Sequence, residues 1–175
     1  MPSPLAHLAA GYFVYRGARE KVCDARSDRL AGIAQLAVIL ALSQLPDLDS
    51  VVGFFSSDFG AYHNQYSHSL LTGIPVALLA AGIAMAFKSK HIKVWFWIAL
   101  LSYELHVFMD YLTVGRGVRL LWPLTTYRFQ APVKLFYGLH WSEGLVSVHH
   151  LWTLLSESLS VLLVWFIWTR IRQTK

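Results

Sequence analysis

Apolar stretches broken by basic clusters constrain this chain more than any other feature. Residues 30–45, 68–87, 92–114 and 149–168 are each predominantly apolar, and Arg or Lys marks one end of every stretch. A bilayer core of about 30 Å needs about 20 helical residues to cross it. Only helices and closed barrels satisfy their own backbone in lipid. The chain is also 55% hydrophobic and only 14% charged, where a soluble domain carries about 25% charged residues. These numbers predict an all-α, multi-pass transmembrane helix bundle with four main apolar helices.

A short helix is expected before them. Ser3 can cap it, Pro4 suits its first position, and its apolar residues run to Tyr15 before Arg16 and Gly17 stop it. Residues 16–29 then read as a charged turn or surface helix. The opening residues lack the basic region and cleavage site of a removable signal peptide. No linker, repeat or low-complexity run divides the 175 residues, so residues 1–175 are read as a single domain. Cys23 is alone, which excludes a disulfide framework and a cysteine-based zinc motif. The net charge of +5 sits in membrane flanks, not in a stripe suited to DNA, and no nucleic-acid partner is expected.

Alternating helix direction sorts the polar residues. Residues 16–29, 88–93 and 170–175 fall on one side and hold 11 of the 15 Lys and Arg residues. The opposite side receives His7, Asp47, Asp49, His63, His68, His106 and Asp110. Ionisable groups at membrane depth are costly and by default functional, and His with Asp suits a divalent metal. The positive-inside rule places the basic side in the cytoplasm and the His/Asp side outside it.

His106 and Asp110 are four apart, so a helix puts both on one face about 5 to 6 Å apart at Cβ. A buried hydrogen-bonded pair is the plain alternative. Asp47 and Asp49 follow Pro46 at a helix end; they can serve as ligand and proton acceptor, or simply cap a turn. His63 and His68, five apart, converge only if His63 stays in the loop and Ser67 caps a helix opening at His68. His7 joins the set through its place on the first helix. Arg116 and Arg119 can steady a phosphate oxygen or anchor in headgroups. His140, Glu143, His149 and His150 form a further cluster on the same side, read as interfacial or as an extra ligand source. His91 reads as a flank residue, and Trp95, Trp97, Trp165 and Trp168 as interface belts. Glu104 lies inside an apolar helix and is expected to be hydrogen-bonded, with no role assigned.

Several motifs occur together in order: Pro-Ser-Pro-Leu-Ala-His7, Leu-Pro-Asp47-Leu-Asp49, His63 to His68-Ser-Leu-Leu, His106-x-x-x-Asp110 and Gly117-Val-Arg-Leu-Leu-Trp-Pro123. Together they resemble the YdjM-like family of predicted membrane-bound metal-dependent hydrolases, distantly similar to zinc-dependent phospholipases C and P1-type nucleases. The resemblance spans His7 through Pro123. It implies that Asp47, His63 or His68, His106 and Asp110 bind one zinc, and that His7 and a bridging Asp110 hold another. Asn64, where a basic residue is common in the family, and Glu104, in place of a small polar residue, depart from the pattern.

The expectation is therefore an integral protein of a bacterial inner membrane with one or two divalent ions, zinc first among them, on the extracytoplasmic side. It would hydrolyse a phosphoester, such as a phospholipid or envelope precursor. Asp47 or Asp49 would act as base, with Arg116 and Arg119 on the substrate. The alternative is a non-enzymatic membrane protein, either a metal or proton carrier or a structural bundle with a buried His-Asp network.

Overall fold

The computed structural model describes residues 2–22, 29–56, 62–139 and 147–173. Its regular elements are all helices, with two isolated β-bridges and no strand among the described residues. Helix α1 spans Pro4–Val22, α2 Arg29–Gln44, α3 Leu48–Phe55, α4 Leu70–Ala86, α5 Ile92–Tyr111 and α6 His149–Gln173. Three segments are long and apolar enough to cross a membrane: Arg29–Gly53, Ile92–Tyr111 and His149–Gln173. Leu70–Ala86 is a shorter apolar helix of 17 residues.

Helix α1 does not stop at Tyr15. It continues through Gly17, which faces the Trp168 ring so closely that an added Cβ would lie 3.2 Å from it. Tertiary contact with α6 thus carries the helix past its expected breaker. Asp47 does not open a loop either. A 3-10 turn at Leu45–Asp47 links α2 to α3, so the span continues beyond Pro46. Helix α4 opens one residue after Ser69, not after Ser67. The Ser69 hydroxyl accepts the Leu71 N–H at 3.2 Å and donates to the Leu120 and Trp122 carbonyls.

Helices α1, α2 and α5 pack around Val14, Tyr15, Ile39 and Ile98. Trp95, half-buried in the first turn of α5, packs against that cluster. Tyr103, Val107 and Val118 form a second cluster that joins α5 to the loop after it. That loop, residues 112–139, folds back over the bundle through the Thr113–Phe136 and Val118–Phe129 bridges. Helix α6 buries Thr153 and Glu157 and exposes most of its large apolar side chains, as a lipid-facing helix does.

Directions alternate along the bundle. Gln44 on α2 reaches the Pro4 carbonyl at the start of α1. Glu157 near the start of α6 accepts the Ser3 N–H at 2.5 Å and also the Ser3 hydroxyl. At the far end Arg172 meets Glu20 and the Arg16 carbonyl. Lysines 88, 90 and 93 lie in and beside the turn that joins α4 to α5 at this same end.

Candidate metal centre

Helix α5 presents His106 and Asp110 one turn apart, both almost fully buried. The His106 Nδ1 lies 2.7 Å from the Ser43 carbonyl oxygen, which only accepts, so Nδ1 carries the proton and Nε2 keeps a lone pair. Pro46 helps make that carbonyl available. In the i to i+3 pattern of a 3-10 turn, residue 46 would be the donor to residue 43, and proline has no N–H.

The Leu45–Asp47 turn and the start of α3 deliver the two carboxylates. Asp49 is heavily bonded. Its Oδ2 accepts from the Gln65 N–H at 3.2 Å, the Ser67 hydroxyl at 2.9 Å and His68 Nδ1 at 3.1 Å. Its Oδ1 lies 3.3 Å from His63 Nδ1, which also meets the Ser50 hydroxyl at 2.8 Å. Asp49 therefore fixes the His68 ring with Nδ1 protonated and Nε2 turned inward. Inside, His68 Nε2 is 3.1 Å from Asp110 Oδ2 and 3.4 Å from Asp47 Oδ1. His106 Nε2 is 3.5 Å from Asp47 Oδ1 and 3.9 Å from Asp110 Oδ2.

His7 stacks on the His106 ring with centroids 3.6 Å apart, and its Nε2 is 3.6 Å from Asp110 Oδ1. Burial, reinforced by His106, lowers His7 to about 4, so its lone pair is free at neutral pH. At His68 burial opposes the charged form, but the carboxylates of Asp110, Asp47 and Asp49 outweigh it and raise the ring well above the ordinary histidine value.

These residues fit a divalent ion on one observation. His7 Nε2, His68 Nε2, His106 Nε2, Asp47 Oδ1 and both Asp110 oxygens are buried, and none has a hydrogen-bond partner among the described residues. Orphaned buried polar atoms cost about 1–3 kcal/mol each, and here they face one another across 3.1 to 3.9 Å. Two donors bound at about 2.0–2.1 Å on a tetrahedral ion stand about 3.3 Å apart. By the spacing of their ligand atoms two overlapping sets could hold an ion, Asp47/His68/His106/Asp110 and Asp47/Asp49/His63/His68; the orphaned atoms belong mainly to the first. Asp47 and His68 are common to both.

Five of the six expected ligands, His63 and His68 among them, fall within the two groups of side chains that could hold an ion. His7 stands outside the two sets but touches Asp110. Arg116 donates to the His63 carbonyl, and Arg119 lies over the Tyr66 ring, 5.4 Å from its centroid. Sequence reasoning did not single out Arg128, whose Nη1 reaches the Asn64 and Gly117 carbonyls at 3.0 Å each. Its place on the His/Asp side of the bundle was the available signal. The Ser43 carbonyl had none, because only tertiary packing brings it to His106.

His149 stacks against Tyr137, with its Nδ1 3.3 Å from the Tyr137 hydroxyl, and His140 and Glu143 lie outside the described residues. Glu104 faces Gly73 on α4, and its buried oxygens have no hydrogen-bond partner among the described residues, contrary to the expected bond.

The sequence matches the family described as YdjM inner membrane protein over residues 1–174. It is 32% identical over 138 residues to "Inner membrane protein YbcI" of Escherichia coli (strain K12), covering 75% of this chain and 73% of that protein. No solved structure matches.

Proposed function

We propose, for a chain that belongs to the YdjM inner membrane protein family, that the His/Asp centre binds one or two divalent ions and hydrolyses a phosphoester at the extracytoplasmic face of the membrane. The observation that carries this reading is the set of buried nitrogens and oxygens of Asp47, His68, His106 and Asp110, which make no hydrogen bond among the described residues and face one another at 3.1 to 3.9 Å. A divalent ion there, zinc first among the candidates, supplies Lewis-acid chemistry, polarising a phosphoryl oxygen and lowering the pKa of water.

The chain's own residues divide the remaining work. His68, His106, Asp110 and Asp47 hold the ion, and His7 and His63 complete the set on either side. Asp49 has its lone pairs committed to Ser67, Gln65 and the two histidines, so it orients ligands. That leaves Asp47 as the carboxylate that accepts the proton of water. Arg116 and Arg119 steady the phosphoryl charge. Placement of the Lys and Arg clusters at the opposite end supports an outward-facing site.

Hydrolysis of a chromogenic phosphodiester and phosphomonoester by protein stripped with a chelator and reloaded with zinc or manganese tests the reading. Turnover should appear on reloading and fall at least about a hundredfold in Asp47→Asn. Absence of turnover from fully loaded protein on every ester offered would contradict it.

A carrier has one observation in its favour, Glu104, an ionisable group without a hydrogen-bond partner among the described residues, deeper in α5 than His106. In that case Glu104→Gln would abolish metal or proton flux into proteoliposomes. A hydrolase would keep its turnover in the same variant.

A further inference from the structure

Four basic residues lie at the His/Asp end of the bundle: Arg116, Arg119, Arg128 and Lys134. Lys134 reaches the Tyr111 carbonyl. The three arginines gather beside the loop that carries His63. Arg116 and Arg128 bind the carbonyls of His63 and Asn64, where the chain turns through a left-handed conformation at Asn64 (φ 58°). Arg119 stacks on Tyr66 and keeps a buried Nε without a hydrogen-bond partner among the described residues.

Among the described residues no ion pair joins these arginines to a carboxylate. Each ion pair found for Asp47, Asp49 and Asp110 goes to a histidine. Arg116 and Arg128 hold the carbonyls of adjacent residues, which brings their guanidinium groups to the same short stretch of chain. Like charges held together without a counter-ion are costly, and a guanidinium fork matches phosphate oxygens.

The trio also stands where a substrate would enter. The side chains of His7, His68, His106 and Asp110 are wholly enclosed, whereas Asp47 and Asp49 keep 14% and 12% of their surface and His63 keeps 9%. The partly open edge of the centre is therefore the one formed by Asp47, Asp49 and His63, and two of the arginines hold the backbone at His63 and Asn64. Three carboxylates outweigh one divalent ion and nearly balance two, so the centre alone attracts an anion weakly or repels it. The arginines reverse that balance. Beside them Tyr66 packs on Trp122, and Leu124 and Tyr127 project outward, as groups at headgroup level do.

We propose that Arg116, Arg119 and Arg128 form an anion-binding rim at the entrance of the metal centre, one that takes a phosphate group in its monoester, dianionic form. This rests on the hydrolase reading and narrows its substrate class to phosphomonoesters, or to esters bearing a second, terminal phosphate. The same chemistry recognises a lipid headgroup or free phosphate.

Calorimetric titration of zinc-loaded protein in detergent separates these cases. The probes are inorganic phosphate, a short-chain phosphatidic acid and a short-chain phosphatidylcholine, with metal content measured for every sample. Phosphatidic acid should bind and phosphatidylcholine should not, and binding should weaken at least about tenfold in Arg119→Gln and in Arg128→Gln while the metal stays in place. The Arg119 side chain makes no hydrogen bond to a backbone carbonyl among the described residues, unlike Arg116 and Arg128, so its variant tests recognition apart from folding, and Arg128→Lys should restore part of the affinity lost in Arg128→Gln. Inorganic phosphate binding as tightly as phosphatidic acid assigns the rim to a soluble ligand; tighter phosphatidic acid assigns it to a headgroup. Equal binding of both lipids, or variants that bind like the wild type, would overturn the rim. So would loss of metal from Arg128→Gln with unchanged binding in Arg119→Gln, which would make the arginines a structural clamp. Titration with the non-hydrolysable phosphonate analogue of the phosphatidic acid reads binding without turnover, so an intact rim on a protein that cleaves no ester would leave the rim standing and remove the hydrolase.

Discussion

Asp49 shows how single residues divide roles that look alike in the sequence. Asp47 and Asp49 both follow Pro46, yet Asp49 accepts from a main-chain N–H, a serine and two imidazoles, while Asp47 turns an unbonded oxygen to the centre. An asparagine at position 49 would lose half of those acceptors and set an amide against donors. Asp49→Asn should therefore stay folded and lose metal affinity about 10- to 100-fold, measured by competition with a chromogenic chelator. Unchanged affinity would show that His68 needs no orienting carboxylate. The His106–Asp110 pair was legible because helix geometry alone puts residues four apart on one face. The proton on His106 Nδ1 was not, because its acceptor lies on α2, 63 positions away.

At the scale of elements, the site depends on how closely α1 approaches its neighbours. Gly11 lies against Ser43, where an added Cβ would stand 2.6 Å from the Ser43 hydroxyl and 2.9 Å from its Cβ. Gly11→Val should push α1 away from α2, withdraw His7 from Asp110 and shift the Ser43 carbonyl. The expected cost is about 1–3 kcal/mol, seen as a lower melting temperature in detergent together with weaker metal retention. Glu157 fixes the same helix from the other side. Glu157→Leu would leave the Ser3 N–H and hydroxyl buried without an acceptor and cost about 1–3 kcal/mol; a melting temperature equal to the wild type would refute this account of how α1 is held. The four main apolar helices could be read from hydropathy, since lipid rewards it directly. The extension of α1 past Gly17 and the short helix Leu48–Phe55 could not. The first depends on Trp168, a packing partner distant in sequence, and Ser67 and Ser69 are equivalent as caps until the loop at Leu120–Trp122 selects Ser69.

For the whole molecule, alternation of helices gathers charge at one end and ligands at the other, which gives the bundle an orientation. Single cysteines at Lys90 and Tyr127, in a background with Cys23 replaced, should differ in intact cells: the Tyr127 position should react with a membrane-impermeant maleimide and the Lys90 position only after permeabilisation. The reverse pattern would place the centre in the cytoplasm. Whichever way the bundle faces, the account stands on the centre holding metal. Metal content of detergent-purified protein, determined by mass spectrometry for the wild type, His106→Ala and Asp110→Ala, tests this most directly. The account predicts one to two equivalents of a divalent ion in the wild type and substoichiometric metal in both variants at unchanged helix content. A folded wild type that stays empty when supplied with zinc and manganese, or variants that retain the full complement, would contradict it.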